Sequence, residues 1–75
     1  MYISTNKAAG LITIGDIPQL SVIEIQDVSG RIIRGFKAIT PSITLDCEKF
    51  ASGSYKIIAK SREKIVSLVV SIVNS

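Results

Sequence analysis

The residues of this sequence that could do chemistry are one cysteine and the carboxylates beside it. Cys47 is the single cysteine of the chain, and Asp46 and Glu48 flank it. A nucleophilic thiol needs an activating base such as histidine, and the sequence contains no histidine. Carboxylates next to a predicted turn are usually solvated. We therefore expect Cys47 to be a small, partly buried thiol that forms no internal disulfide, and Asp46 and Glu48 to lie in solvent.

No other combination of residues points to catalysis or to a cofactor. The sequence lacks a nucleophile paired with a base, a cluster with metal-ligand spacing and a Gly-rich phosphate loop before a helix. A core made from 75 residues also leaves little room for a ligand cavity. We expect a protein that is not an enzyme and that uses no cofactor or metal.

The net charge of +3 comes from nine basic and six acidic residues. The basic residues are spread from Lys7 to Lys64, and the short cluster Arg62-Glu63-Lys64 has an acid inside it. Nucleic-acid-binding proteins usually concentrate positive charge on one face and add aromatic residues, which make up 5% of this chain. We expect a solvated, mildly basic surface and no nucleic-acid partner.

The elements that must position these residues are β-strands in a single domain, residues 1–75. Hydrophobic residues are 47% of the chain, mostly Ile, Val and Leu, and β-branched side chains favour strands. No window shows a convincing run of apolar residues at helical spacing. Turn signals recur about every ten residues between short apolar runs. The sequence therefore predicts an all-β fold, a small antiparallel β-sandwich of about six or seven strands with an aliphatic core.

The clearest element is a β-hairpin in Ser21 to Arg34. Ile23-Glu24-Ile25-Gln26 alternates as a half-buried strand does. Asp27 and Gly30 then stand at the first and fourth positions of a turn, where the Asp carboxylate can accept the backbone N–H two residues on and Gly can take positive φ. This pattern is typical of a three-residue hairpin loop with a bulge, after which Arg31 to Arg34 resumes the strand.

Two later strands carry more specific expectations. Both faces of the strand after the hairpin hold apolar side chains, and Gly35 suggests a bulge that switches between them. In the last strand, Ile65 to Val73, one face is continuously aliphatic. An unpaired strand of this kind invites aggregation, so we expect it to lie between two neighbours and not at an open edge.

The sequence shows no targeting or membrane-spanning segment. Met1 to Lys7 lacks the basic start and apolar run of a signal peptide. Ile65 to Val73 has nine residues, too few to span a bilayer as a helix. If the domain is exported, we expect its signal peptide to lie on a larger parent chain.

The order of these motifs resembles the C-terminal sorting domain of the type IX (Por) secretion system of Bacteroidetes, over about residues 11 to 70. That family runs strand, D-x-x-G-[K/R], strand, I-D-L-S, L-x-x-G-x-Y, strand, K-[I/V]-V. The matching positions here are Asp27, Gly30 and Arg31, then Ile43-x-Leu45-Asp46, then Phe50, Gly53 and Tyr55, and finally Lys64-Ile65-Val66.

The resemblance implies an immunoglobulin- or fibronectin type III-like sandwich at the C-terminal end of a larger secreted protein. Its partners would be the outer-membrane translocon and a sortase-like peptidase, and its location the cell surface or the medium, reached through the periplasm. The matched residues would act through the shape that they maintain: Asp27 and Gly30 form a turn, Gly53 supplies an unusual φ, Phe50 anchors the preceding connection, and Tyr55 packs inward with its hydroxyl on a backbone group.

Two further interpretations stay open at this point. The chain could be an immunoglobulin-like binding or spacer module of a secreted bacterial protein that contacts glycan or protein, and a basic barrel that binds nucleic acid is a more distant alternative. Two copies of the chain could also pair through a strand edge as a homodimer.

Overall fold

The fold consists of seven β-strands, and the computed structural model describes residues 1–6, 9–48 and 50–73. In chain order the strands are β1 (Tyr2–Asn6), β2 (Leu11–Gly15), β3 (Val22–Gln26), β4 (Ile32–Lys37), β5 (Ile43–Asp46), β6 (Gly53–Lys60) and β7 (Ile65–Ile72). The predicted turn over residues 6–10 includes Lys7 and Ala8, and the predicted connection over 47–52 includes Lys49; these three residues lie outside the described ranges. None of the described residues belongs to a helix that could cross a membrane.

The strands form two antiparallel sheets. One has three strands in the order β1-β2-β5, and the other has four in the order β4-β3-β6-β7. Chain neighbours pair in β1–β2, β3–β4 and β6–β7, whereas the pairs β2–β5 and β3–β6 join strands that are distant in sequence. The predicted small antiparallel β-sandwich is confirmed.

The core lies between the two sheets and is mainly aliphatic, as the composition predicted. Side chains on alternate positions point inward because successive residues of a strand face opposite sides. The least exposed of them come from the central strands of both sheets: Ile12 and Ile14 of β2, Ile23 and Ile25 of β3, and Ile57 of β6. Fully burying such a side chain stabilises the fold by roughly 1.5–3 kcal/mol.

Strand β4 changes its inward face at a register shift, but Gly35 does not cause it. Ile25 pairs with Arg34 and Gln26 pairs with Ile32, which leaves Ile33 without an opposite residue. Ile33 is half-buried and packs against the core. Gly35 pairs in register with Glu24, so the prediction of a bulge at Gly35 was wrong by two residues. The extra residue lies beside the hairpin turn, where the chain reverses.

The position predicted for the last strand was also wrong. β7 pairs with β6 over its whole length, from Lys60–Ile65 to Gly53–Ile72, and it ends the four-stranded sheet. Its other edge makes no ladder with any described strand. The inward side chains of β7 are buried by the opposite sheet, which lies over them. Their burial therefore does not require a second strand paired with β7 in its own sheet. Val70 and Ile72 are buried, whereas the outward-facing Val69 is 72% exposed.

Candidate functional site

The residues of the first motif form the predicted hairpin turn. The Gly30 N–H donates to the Asp27 carbonyl over 3.0 Å, and the Asp27 N–H donates to the Arg31 carbonyl over 3.0 Å. Gly30 has a φ of +87°, a conformation that L side chains rarely adopt. The turn predicted from Asp27 and Gly30 is therefore confirmed. Arg31 takes part through its backbone groups, while its side chain is exposed.

One carboxylate oxygen organises this turn. Oδ1 of Asp27 accepts from the Ser29 N–H at 2.9 Å, the Ser29 hydroxyl at 2.6 Å and the Arg31 N–H at 3.1 Å. Hydrogen bonds to the charged form favour it, so the pKa of the Asp27 carboxyl lies below its usual value, with the Ser29 hydroxyl as the largest cause. Desolvation opposes this lowering of the pKa. The lowering is strengthened by the backbone N–H groups of Arg31 and Ser29 and by the positive charge of Arg31. The sequence predicted the bond from the Ser29 N–H but not the two additional donors.

The motif residues Phe50, Gly53 and Tyr55 form a corner between β5 and β6. The Tyr55 ring is buried, and its hydroxyl donates to the Ala51 carbonyl over 2.5 Å. The rings of Phe50 and Tyr55 lie with their centroids 5.5 Å apart, and Phe50 packs against the core. Gly53 has a φ of +155°. The roles predicted for Phe50, Gly53 and Tyr55 are all confirmed by this geometry, which is the tyrosine corner of β-sandwiches.

The two motifs meet at one end of the sandwich because β3 pairs with β6. Gln26, the last residue of β3, lies opposite Lys56 near the start of β6. The turn and the corner therefore lie side by side, and a shallow surface groove between them is lined by Asp27, Gly30, Tyr55 and Val69, among others. We call the turn Asp27–Arg31 together with the corner Phe50–Tyr55 the motif end. Val28, at the tip of the turn, is 82% exposed.

Lys64 does not belong to the motif end. It closes the turn between β6 and β7, where its carbonyl accepts from the Ser61 N–H at 2.9 Å and from the Ser61 hydroxyl at 3.0 Å. The eight residues of β6 separate this turn from the motif end by roughly 25 Å. The Lys64-Ile65-Val66 motif therefore forms the start of β7. It adds no side chain to the motif end.

Cys47 and its carboxylate neighbours have structural roles. Cys47 is buried, its N–H donates to the Gly10 carbonyl over 2.9 Å, and its Sγ lies 3.3 Å from the same oxygen. Asp46 accepts the Glu48 N–H through Oδ1 at 2.9 Å, and both carboxylates are exposed. The two Cys47 contacts with Gly10 fasten the end of β5 to the start of β2. Within the described residues, no group of three or more His, Cys, Asp or Glu side chains could hold a metal ion.

A cavity beside Cys47 has a volume of about 20 Å³ and lies between the start of β2 and the end of β7. That volume holds about one water molecule, whereas small-molecule sites usually measure 300 Å³ or more. Larger depressions of about 320–350 Å³ are open surface grooves, and one of them is the groove at the motif end. Comparisons with family models, with curated proteins and with solved structures each gave no match to this chain.

Proposed function

We propose that this chain is a non-catalytic C-terminal sorting domain, which the type IX secretion machinery recognises to export and anchor a parent protein. The observation that carries the proposal is the assembly of the motif end. The turn Asp27–Arg31 and the corner Phe50–Tyr55 are separate in sequence but lie side by side, and the side chains of Asp27 and Tyr55 are bonded to the backbone. Such residues maintain a fixed outline, which is what a translocon that reads a folded signal would need.

Under this proposal the partners are the outer-membrane translocon and a sortase-like peptidase, and the parent protein reaches the cell surface or the medium through the periplasm. The domain contributes a rigid surface and no reactive group. Val28 is the most prominent apolar side chain of the motif end, and desolvation of such a residue by a partner would add binding energy.

The experiment is fusion of residues 1–75 behind a reporter with a signal peptide, expressed in a Bacteroidetes host with type IX secretion. We expect the reporter at the surface or in the medium of the parent strain and in the periplasm of a translocon-deficient strain. A reporter that stays in the periplasm of both strains would contradict the proposal.

A matched pair of variants tests whether the motif end is the part that is read. Val28→Lys alters the tip of the turn, where the side chain is 82% exposed, and we expect it to reduce export. Ile39→Lys is the control, because Ile39 is 84% exposed and lies in the β4–β5 connection. This connection is at the end of the sandwich opposite to the motif end, where the Ala38 N–H donates to the Ser21 carbonyl. Equal export of the two variants would remove the motif end from the proposal.

The alternative function is an immunoglobulin-like module that binds glycan or protein. The observation in its favour is the outer face of the four-stranded sheet, where Val22, Ile32 and Ile65 are exposed by 43%, 52% and 69%. Exposed aliphatic side chains on one face of a sheet are available for contact with a partner. A ligand-dependent rise in Tm together with a hit on a glycan array would support the module, and an array with no hits would count against the glycan form of it.

A further inference from the structure

Strand β7 differs from the other edge strands of the sandwich in lacking any feature that blocks pairing. β1 and β5 are short, with five and four residues, and β4 has a register shift together with Arg34 and Lys37. Such features keep strand edges from pairing with other chains. β7 has eight residues, no charge, no Pro and no Gly, and its register with β6 is continuous.

The outer edge of β7 presents unpaired backbone groups to solvent. In an antiparallel ladder only about half of a strand's N–H and C=O groups point toward one neighbour, and the remainder point away from it. For β7 that neighbour is β6, and no second described strand makes a ladder on the other side. β1 of the opposite sheet comes close to β7 but does not pair with it. This edge can therefore accept a further strand.

The sequence of β7 and the next residue identifies a strand that fits. When two copies of Ile65–Val73 run antiparallel about Val69, each residue faces a similar one. The pairs are Ile65 with Val73, Val66 with Ile72, Ser67 with Ser71, Leu68 with Val70, and Val69 with itself. Moving the centre to Leu68 or Val70 places serines opposite aliphatic residues instead. The register centred on Val69 is thus self-complementary over nine residues.

We propose that two copies of this chain form a homodimer through antiparallel pairing of their β7 strands, with the two-fold axis at Val69. The two four-stranded sheets then become one sheet of eight strands. The exposed side chains of Ile65, Val69 and Val73 pack in pairs on the outer face of that sheet. The paired strip is about 30 Å long and has the small area of a weak or transient interface. We therefore expect a reversible, concentration-dependent dimer.

Sedimentation velocity of the full chain over a range of concentrations is the first test. The wild type should move from monomer to dimer, and Val69→Lys should raise the dimer Kd by roughly tenfold or more because two like charges meet at the axis. Ile39→Lys is the control, since it adds the same charge at a position that is 84% exposed and follows β4, the strand at the opposite edge of the sheet from β7. An equimolar mixture of Val69→Lys and Val69→Glu should regain the dimer, and circular dichroism checks that each variant is folded.

Cysteine cross-linking tests the register. In the proposed dimer the two Val69 Cα atoms lie about 4.5–5.5 Å apart, within disulfide range, so Val69→Cys should form a covalent dimer under mild oxidation. Two Ser67 residues would lie ~13 Å apart, so Ser67→Cys should not. The wild type, in which Cys47 is buried, is the blank. Equal cross-linking by both variants, or a dimer that Val69→Lys leaves intact, would overturn the proposal. A chain that stays monomeric throughout would also overturn it and would leave this edge to a strand of another protein.

Discussion

The Tyr55 hydroxyl donates a hydrogen bond to the backbone carbonyl of Ala51, four residues earlier in the chain. This bond ties the connection between the sheets to the first buried residue of β6. It also fixes the Tyr55 ring, which contacts Phe50 on one side and the core on the other. The Tyr55–Ala51 hydrogen bond and the Phe50–Tyr55 aromatic pair both contribute to the corner, and each can be tested separately.

Tyr55→Phe removes the hydroxyl and keeps the ring. We expect a loss of about 0.5–1.5 kcal/mol in the free energy of unfolding, because the hydrogen bond is lost while the buried apolar area is retained. Urea unfolding followed by circular dichroism measures it. Tyr2→Phe is the control, since Tyr2 is 54% exposed in the edge strand β1, and it should change stability little. If both variants match the wild type, the Tyr55 hydroxyl does not hold the corner.

Gly30→Val tests the hairpin turn. A Cβ at Gly30 meets no other atom within 4 Å, so the cost comes from forcing a β-branched residue to a φ of +87°. We expect a loss of roughly 1–3 kcal/mol in urea melts. Gly35→Val is the matched control, because its Cβ would lie 3.7 Å from the Ile23 carbonyl oxygen and its φ does not lie in the left-handed region. Valine favours strands, so the control should be neutral or stabilising.

The lowered pKa of Asp27 predicts a pH dependence of stability. Because the folded-state pKa lies below the unfolded value of about 3.9, the ionised carboxylate stabilises the fold fully above that value. The contribution is lost as the pH falls through the folded-state pKa. The stability difference between the wild type and Asp27→Asn should therefore be constant near neutral pH and shrink in acid. NMR titration should give a higher Asp27 pKa in Ser29→Ala, and an unchanged pKa would refute the role of the hydroxyl.

An ion pair on the outer face of the four-stranded sheet provides the fourth prediction. Nζ of Lys60 lies 3.0 Å from Oε1 of Glu24, an oxygen that is buried and has no other partner in the described residues. Lys60→Met should lower stability by about 0.5–1 kcal/mol, and the loss should shrink in high salt because salt screens the pair. Lys56→Met removes the same charge from the same face of β6 and should cost less. Equal losses would show that net charge, and not the pair, is responsible.

The sequence predicted most accurately the features that depend on neighbouring residues. The turn at Asp27–Gly30 depends on a carboxylate and a glycine three positions apart, and the corner depends on Tyr55 reaching a carbonyl four positions back. The existence of the strands followed from alternation and β-branched residues within each segment. In each of these cases the interacting groups are close in the chain, so the pattern contains the information.

The sequence by itself determined the all-β class, the aliphatic core and the local geometry of the motif end. Only the tertiary structure decided which strands pair, and with that the position of β7 at an open edge and the register shift at Ile33. The physical reason is that apolar residues on β7 can be buried either by a second neighbour in the sheet or by the opposite sheet. Local periodicity is the same in both cases, and the choice depends on contacts between residues far apart in the chain.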